Sequence, residues 1–191
     1  MRVIQYRGLD GARRVGTVSD DGNVNTIRGA TTSYELALEA IKKKLPIEQV
    51  IQNRVSDEKD NMGKIISDKR IHVPLHHPDP YHQLITGTGL SHLGSASARN
   101  SMHEKLSDDE SAMTDSMKMF KWGLDGGKPH EAAIGTQAEW FYKGDGDWAV
   151  DPEARLLWPA YALDGGEEVE LVGIYIVDEE SSVWRVGYAL A

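Results

Sequence analysis

Polar and apolar side chains alternate along the first residues of the chain, which is typical of a strand that faces water on one side. The alternation runs from Val3 to Arg7 and is followed by hairpin-like turns at 9–11 and 20–23, each containing glycine. The pattern predicts three short strands within residues 1–28.

The next segment changes to helical spacing. Thr32 and Glu35 have the spacing of a capping box, and Pro46 ends the predicted helix. Apolar residues recur along one face between these positions. A second short helix is predicted over 47–54, and a polar surface loop over 56–69.

Beyond residue 69 the pattern predicts short strands and two helices. The strands are predicted over 70–75, 84–88, 139–142, 148–150, 168–177 and 183–190, and the helices over 95–106 and 108–124. All five tryptophans lie between Trp122 and Trp184, which predicts a large aromatic core here. The predicted fold class is α+β, with an N-terminal strand–helix domain over 1–68 and a second domain over 69–191.

Two carboxylates stand one residue apart at the head of the strand predicted over 168–177. Glu168 and Glu170 point to the same face, because side chains alternate along a strand. The strand beyond them is apolar on both faces, which predicts burial. A hard divalent ion such as Mg²⁺, or Mn²⁺ or Ca²⁺ in its place, is the simplest way to compensate two like charges there. The alternative is a solvated strand end with an acidic rim.

Composition and charge narrow the classes of function. The 191 residues carry a formal net charge of −9 without a basic stripe, so nucleic acid is not an expected partner. The absence of cysteine excludes disulfides and thiolate metal sites and fits the cytoplasm. No apolar run approaches the roughly 20 residues that a membrane helix needs, so no membrane association is expected.

Three motifs carry a resemblance to a known family. They are Thr86-Gly87-Thr88-Gly89-Leu90-Ser91-His92-Leu93-Gly94-Ser95 with Ala98-Arg99 and Met102-His103, then Glu139-Trp140-Phe141-Tyr142-Lys143-Gly144, then residues 163–173. From Pro74 to Ala191 the chain resembles the fumarylacetoacetate hydrolase superfamily, in particular the 2-keto-3-deoxy-pentonate dehydratases of its sugar-acid branch. The resemblance implies that residues 69–191 form part of a mixed β-roll with flanking helices, an incomplete catalytic domain of this family.

The implied activity is a lyase that removes water from a 2-keto-3-deoxy sugar acid. A divalent ion on Glu168 and Glu170 would bind the 2-keto-carboxylate and stabilise the enolate. Thr88, Ser91 and Arg99 are the implied substrate-binding residues, with an ordinary ion pair as the alternative for Arg99.

Candidate acid–base residues lie in the same motifs. Hydrolytic members carry a catalytic histidine where this chain has Ser95, and His92 stands nearby but out of register. Hydrolysis of an acylpyruvate-like substrate is therefore less favoured than elimination. His103 and Glu104 are the candidate acid–base pair, and Lys143 is a candidate at the pocket rim. The alternatives are surface residues of a helix and a lysine that snorkels into water.

The other histidines, His72, His76, His77, His82 and His130, lie in proline-rich or polar surroundings. Adjacent residues seldom chelate one ion from a turn, so His76-His77 does not suggest a metal pair.

The resemblance also implies a longer chain and a dimer. In the family, the strand predicted over 183–190 continues into an Asn-Glu-Phe-Ser-Asp-like segment that supplies a third metal ligand. The chain is therefore expected to be truncated, to bind metal weakly and to turn over little substrate alone. A homodimer is expected from the family and from the methionine-rich helix over 108–124. A non-catalytic metal-binding or assembly fragment of the same fold is the alternative.

Overall fold

The N-terminal sheet forms where the alternating pattern predicted strands. The computed structural model describes residues 1–88, 113, 115–126, 129–136, 140–163 and 169–191. Strand β1 spans Arg2–Arg7, β2 spans Arg13–Val18 and β3 spans Asn23–Ile27, and consecutive strands pair antiparallel. Gly11 and Gly22 turn the two hairpins at φ values of 82° and 79°, which glycine adopts without steric cost. The prediction of three strands is confirmed.

Two helices follow, and the capping box is present. Helix α1 spans Ser33–Lys43 and α2 spans Ile47–Gln52. The Thr32 hydroxyl accepts a hydrogen bond from the Glu35 N–H at 3.1 Å, and the Glu35 carboxylate accepts one from the Thr32 N–H at 3.4 Å. Lys44 ends α1 in the left-handed conformation, at φ 53°.

A strand and a helix replace the surface loop predicted over 56–69, so that prediction was wrong. Strand β4 spans Val55–Asn61 and pairs antiparallel with β3, and helix α3 spans Met62–Ser67. Strand β4 lies at the sheet edge and carries exposed charged side chains, so it lacks the apolar alternation that marks a strand in sequence. Strand β5 is only Ile71–His72, shorter than the predicted 70–75, and completes the sheet order β4-β3-β2-β1-β5.

Helices cover both faces of this sheet. On one face α1 and α2 pack on β2 and β3 through the buried residues Val15, Ile27, Ala30, Leu36, Ala40, Val50 and Ile51. On the other face α3 packs on β1 and β3 through Tyr6, Val24 and Ile65, all 0% exposed. Burial of this apolar area is the main stabilising term of the layer.

A buried glutamine connects the sheet to the chain that leaves it. Gln5 is 0% exposed, and its Nε2 donates to the Val73 carbonyl at 2.6 Å while its Oε1 accepts from the Ser33 N–H at 2.9 Å. The Ser33 hydroxyl donates to the Pro74 carbonyl at 2.6 Å. One side chain therefore satisfies backbone groups at the start of α1 and after β5.

The remaining described elements are four strands and one longer helix. Strand β6 spans Leu84–Thr88, β7 spans Trp140–Asp145, β8 spans Leu171–Val177, β9 spans Val183–Leu190, and helix α4 spans Asp115–Gly126. The strands predicted over 84–88 and 183–190 are confirmed, whereas a 3₁₀ turn at Gly146–Trp148 precedes irregular chain where 148–150 was predicted as a strand. The helix predicted over 95–106 lies outside the described residues, as does the first part of that over 108–124.

The class is α+β, as predicted, and the described strands pair antiparallel. Contacts divide the chain into two compact units, residues 1–83 with 146–191, and residues 84–145. The domain boundary between residues 68 and 69 stays a prediction.

Most of the large apolar residues described in the second half are exposed, contrary to two predictions. The five tryptophans are 41% to 74% exposed, so they do not form the predicted aromatic core. In β8 only Ile176 is buried, at 5%. We call the exposed side of the β8–β9 hairpin the outer hairpin face. It carries the apolar residues Leu171, Tyr175, Val177, Val183 and Leu190, and Arg185 opposite Tyr175. Strand β8 is thus covered on one side, where apolarity on both faces had predicted full burial.

Among the described helices, none combines the length and apolarity needed to cross a bilayer.

Replacing Gln5 tests the buried link. Gln5→Ala leaves the Val73 carbonyl and the Ser33 N–H without their partner, so we expect the free energy of unfolding to fall by about 2–4 kcal/mol. Urea denaturation measures this. Gln52→Ala, at an exposed position on α2, is the matched control and should change it by less than about 0.5 kcal/mol. Equal effects of the two substitutions would contradict the assigned role of Gln5.

Candidate functional site

Two motifs that are far apart in sequence pair with each other in the second unit. Strands β6 and β7 are antiparallel, with Thr86 opposite Tyr142, Gly87 opposite Phe141 and Thr88 opposite Trp140. The register shifts between Ile85 and Thr86, which makes Lys143 the extra residue of a β-bulge. The predicted residues Thr88 and Lys143 therefore belong to one two-stranded sheet, which we call the β6–β7 sheet.

Gly87 has a defined packing role in the β6–β7 sheet. A Cβ atom at Gly87 would lie 2.7 Å from Phe141 Cε2 and 2.9 Å from Lys143 Cε. The Lys143 ammonium lies 5.9 Å from the centre of the Phe141 ring, within cation–π range. The absence of a side chain at position 87 thus lets Phe141 and Lys143 lie over β6.

This arrangement presents a cation at the surface of the β6–β7 sheet. Lys143 is exposed, and its side-chain position is restricted by the aromatic ring and by the glycine beneath it. A lysine ammonium so placed can bind a carboxylate or phosphate group as a point charge. The β6–β7 sheet is therefore the candidate site in the second unit.

Glu170 lies in the other compact unit, directly before β8. Its N–H donates to the Ala191 carbonyl at 2.8 Å, and its carbonyl accepts from the Ala191 N–H at 3.0 Å, so the β8–β9 ladder extends to this residue. Its side chain is exposed. Glu168, its predicted partner as a metal ligand, lies outside the described residues.

The other predicted site residues also lie outside the described residues. They are Ser91, His92, Ser95, Arg99, His103 and Glu104. Their predicted roles in substrate binding and acid–base chemistry stay predictions.

A carboxylate that the sequence did not single out holds a second cluster in the first unit. Asp151 accepts hydrogen bonds from His72 Nδ1 at 2.8 Å and from the Val73 N–H at 2.9 Å. A neutral His72 therefore carries its lone pair on Nε2. Seventy-nine residues separate the partners, and no local pattern marks the pairing.

The neighbouring histidines are held by local contacts. Burial, together with the positive charge of Arg13, lowers the pKa of His76, which favours its neutral form. The Asp79 carboxylate accepts from His82 Nδ1 at 2.8 Å, and this bond and the Tyr81 N–H lower the pKa of Asp79. His77 stacks edge-on against Tyr34 at 4.8 Å. These local contacts are typical of histidines that have a structural role in a turn.

Metal ligands are not grouped in the part of the chain that the structure describes. There, no three histidine, aspartate or glutamate side chains lie close enough together to hold one ion.

Comparison with known proteins finds no matching family model, curated protein or solved structure.

Gly87→Ala tests the packing of the β6–β7 sheet. The new methyl group would overlap Phe141 and Lys143, so we expect the free energy of unfolding to fall by about 1–3 kcal/mol. Gly123→Ala in α4 is the matched control, because a Cβ atom there meets nothing within 4 Å and alanine favours a helix. Urea denaturation compares the two variants. A Gly87→Ala protein as stable as the control would show that the two side chains do not pack on Gly87.

Proposed function

We propose that the protein is a metal-dependent lyase that removes water from a 2-keto-3-deoxy sugar acid. One observation supports this more than any other. The motifs at Thr86–Thr88 and Trp140–Lys143, which carry the sequence resemblance, are adjacent in β6 and β7 although more than 50 residues separate them. A shared site requires the two motifs to lie close together, as they do in the paired strands β6 and β7.

Lys143 is the residue to which we assign a binding role. Its ammonium group would bind the carboxylate of the substrate beside the β6–β7 sheet. Phe141 and Gly87 would position the Lys143 side chain. His103 and Glu104 remain the proposed acid–base pair and would move the proton between carbon and solvent.

The proposed ion, Mg²⁺ or Mn²⁺, fits the described residues only in part. Glu170 offers a carboxylate, the ligand type that Mg²⁺ prefers, but the described residues contain no group of three side chains that could hold the ion. One carboxylate does not hold Mg²⁺ firmly, so we derive no catalytic step through the ion. Its proposed ligands are Glu168 and Glu170.

A second candidate function is a non-catalytic assembly domain. The observation that favours it is the outer hairpin face, where Leu171 is 71% and Leu190 77% exposed. Apolar residues in such a patch commonly contact another protein surface. Release of a dehydrated product distinguishes the two candidates, because only the lyase forms one.

Calorimetry and a turnover assay test the proposed lyase. We expect Mg²⁺ to bind weakly, and the 191-residue chain to release a small, Mg²⁺-dependent amount of dehydrated product from a panel of 2-keto-3-deoxy acids. Glu170→Gln should weaken Mg²⁺ binding at least threefold and Lys143→Gln should weaken substrate binding about two- to fivefold. Glu179→Gln, on the exposed β8–β9 turn, is the matched control. Binding of neither ion nor substrate, or equal effects of all three substitutions, would reject the lyase proposal.

We also propose a homodimer, supported by the exposed apolar residues of the second half. Light scattering at tens of micromolar should give twice the chain mass. Leu171→Asp should shift the mass toward the monomer, since it places a charge on the outer hairpin face. Leu9→Asp, at a turn position that is 85% exposed, is the matched control and should leave the mass unchanged. A monomer mass for the unsubstituted chain would contradict the dimer.

A further inference from the structure

Strand β9 has an open edge, by which we mean backbone N–H and C=O groups that face away from its strand neighbour. Among the described strands, β9 pairs with β8 alone. Ala191 and Glu170 exchange both of their backbone hydrogen bonds, at 2.8 and 3.0 Å. The direction of these groups alternates along a strand, so the register places those of Tyr188 and Leu190 on the open edge.

Strand β1 has an open edge as well. The Arg7 N–H donates to the Arg70 carbonyl at 2.8 Å, so every second residue of β1, including Val3, directs its backbone groups toward the β5 side. The β1–β5 register, if continued, would bring Val3 opposite Pro74. Proline has no N–H, and the Pro74 carbonyl accepts a hydrogen bond from the Ser33 hydroxyl. The sequence therefore ends β5 before it can cover Val3.

Both open edges line one groove within the first compact unit. A cavity of about 350 Å³ is lined by Val3 of β1 and by Val186–Tyr188 of β9. An adjoining cavity of about 650 Å³ is lined by the consecutive residues 184–188, whose side chains point to both faces of β9. No residue of β8, which the structure describes in full, lines this second cavity. The groove therefore follows the edge of β9 and not one of its faces.

The α1–α2 corner supplies apolar side chains to the groove. Leu36 and Ile51 line the smaller cavity, and Ile41 lines the larger one. The same corner supplies one charge of each sign, Lys44 and Glu48, so it favours neither an anion nor a cation. An occupant that matches the groove is uncharged and apolar, and forms hydrogen bonds along its length.

We propose that an extended segment of a partner protein binds in this groove as an added strand. Its backbone pairs with the open edge of β9 at Tyr188 and Leu190, and its apolar side chains pack on α1 and α2. An extended polypeptide fits because it presents N–H and C=O groups at the spacing of the strand edge. Lys143 and Glu170 do not line the groove, so the proposal is independent of the lyase site.

Titration of the full chain with a designed peptide tests strand addition. The probe is a heptapeptide of alternating threonine and valine with blocked ends, and we expect calorimetry to detect its binding. The matched probe has the same side chains but carries methyl groups on alternate backbone nitrogens, which removes the N–H groups from one of its edges. It should bind about tenfold more weakly, because it loses backbone hydrogen bonds. Absence of binding by the first probe, or equal binding of both, would overturn the proposal.

A proline on the open edge tests the location of the added strand. Tyr188→Pro removes an N–H that faces away from β8, so the β8–β9 ladder keeps its hydrogen bonds. Tyr188→Ala is the matched control, since it also removes the aromatic ring but keeps the N–H. The unmethylated heptapeptide should bind Tyr188→Pro about fivefold more weakly than Tyr188→Ala. Equal binding by the two folded variants would overturn the proposal.

Two further measurements decide the remaining outcomes. In the unsubstituted chain, saturation with the heptapeptide should slow hydrogen exchange at the Tyr188 and Leu190 amides about tenfold or more. Unchanged exchange at both amides would overturn the proposal, even if Tyr188→Pro fails to fold. Light scattering identifies the other possible occupant. A dimeric Tyr188→Ala protein beside a monomeric Tyr188→Pro protein would show that a second copy pairs with this edge, and would also overturn the proposal.

Discussion

The backbone of Val73 links the sheet and helix α1 to the chain that follows β7. Its carbonyl accepts a hydrogen bond from the buried Gln5 side chain, and its N–H donates to the Asp151 carboxylate. Gln5 belongs to β1 and also binds the first turn of α1, whereas Asp151 belongs to the chain that follows β7. Hydrogen bonds to such backbone groups are stabilising mainly because a buried group that loses its partner is costly.

Local sequence signals were sufficient for the elements whose stability is local. The Thr32–Glu35 capping box and the glycine turns of the first hairpins specify their structure within a few residues, so they could be predicted. Strand β4 could not be predicted in this way, because it is stabilised by pairing with β3 and its own side chains are charged and exposed. The link from Asp151 to His72 could not either, since no short-range pattern connects residues 79 positions apart.

Burial in the second half was mispredicted for a physical reason. Apolar residues on both faces of a strand indicate that both faces need cover, but not which part of a structure supplies it. In β8 one side packs, through Ile176, and the other side, with Leu171 and Tyr175, is exposed. For the candidate site, sequence identified Lys143 and Thr88 but not the packing on Gly87 that restricts Lys143, because this contact exists only once β6 and β7 pair.

Native-state hydrogen exchange at the Val73 N–H tests the central role of these backbone contacts most directly. If the Gln5 and Asp151 contacts hold the unit together, the Val73 N–H should exchange only through global unfolding, with a free energy of opening equal to that of the amides in β1. Exchange at a rate close to that of an amide in an exposed turn, such as that of Leu9, would contradict the account. It would show that the chain after β5 opens independently of the sheet.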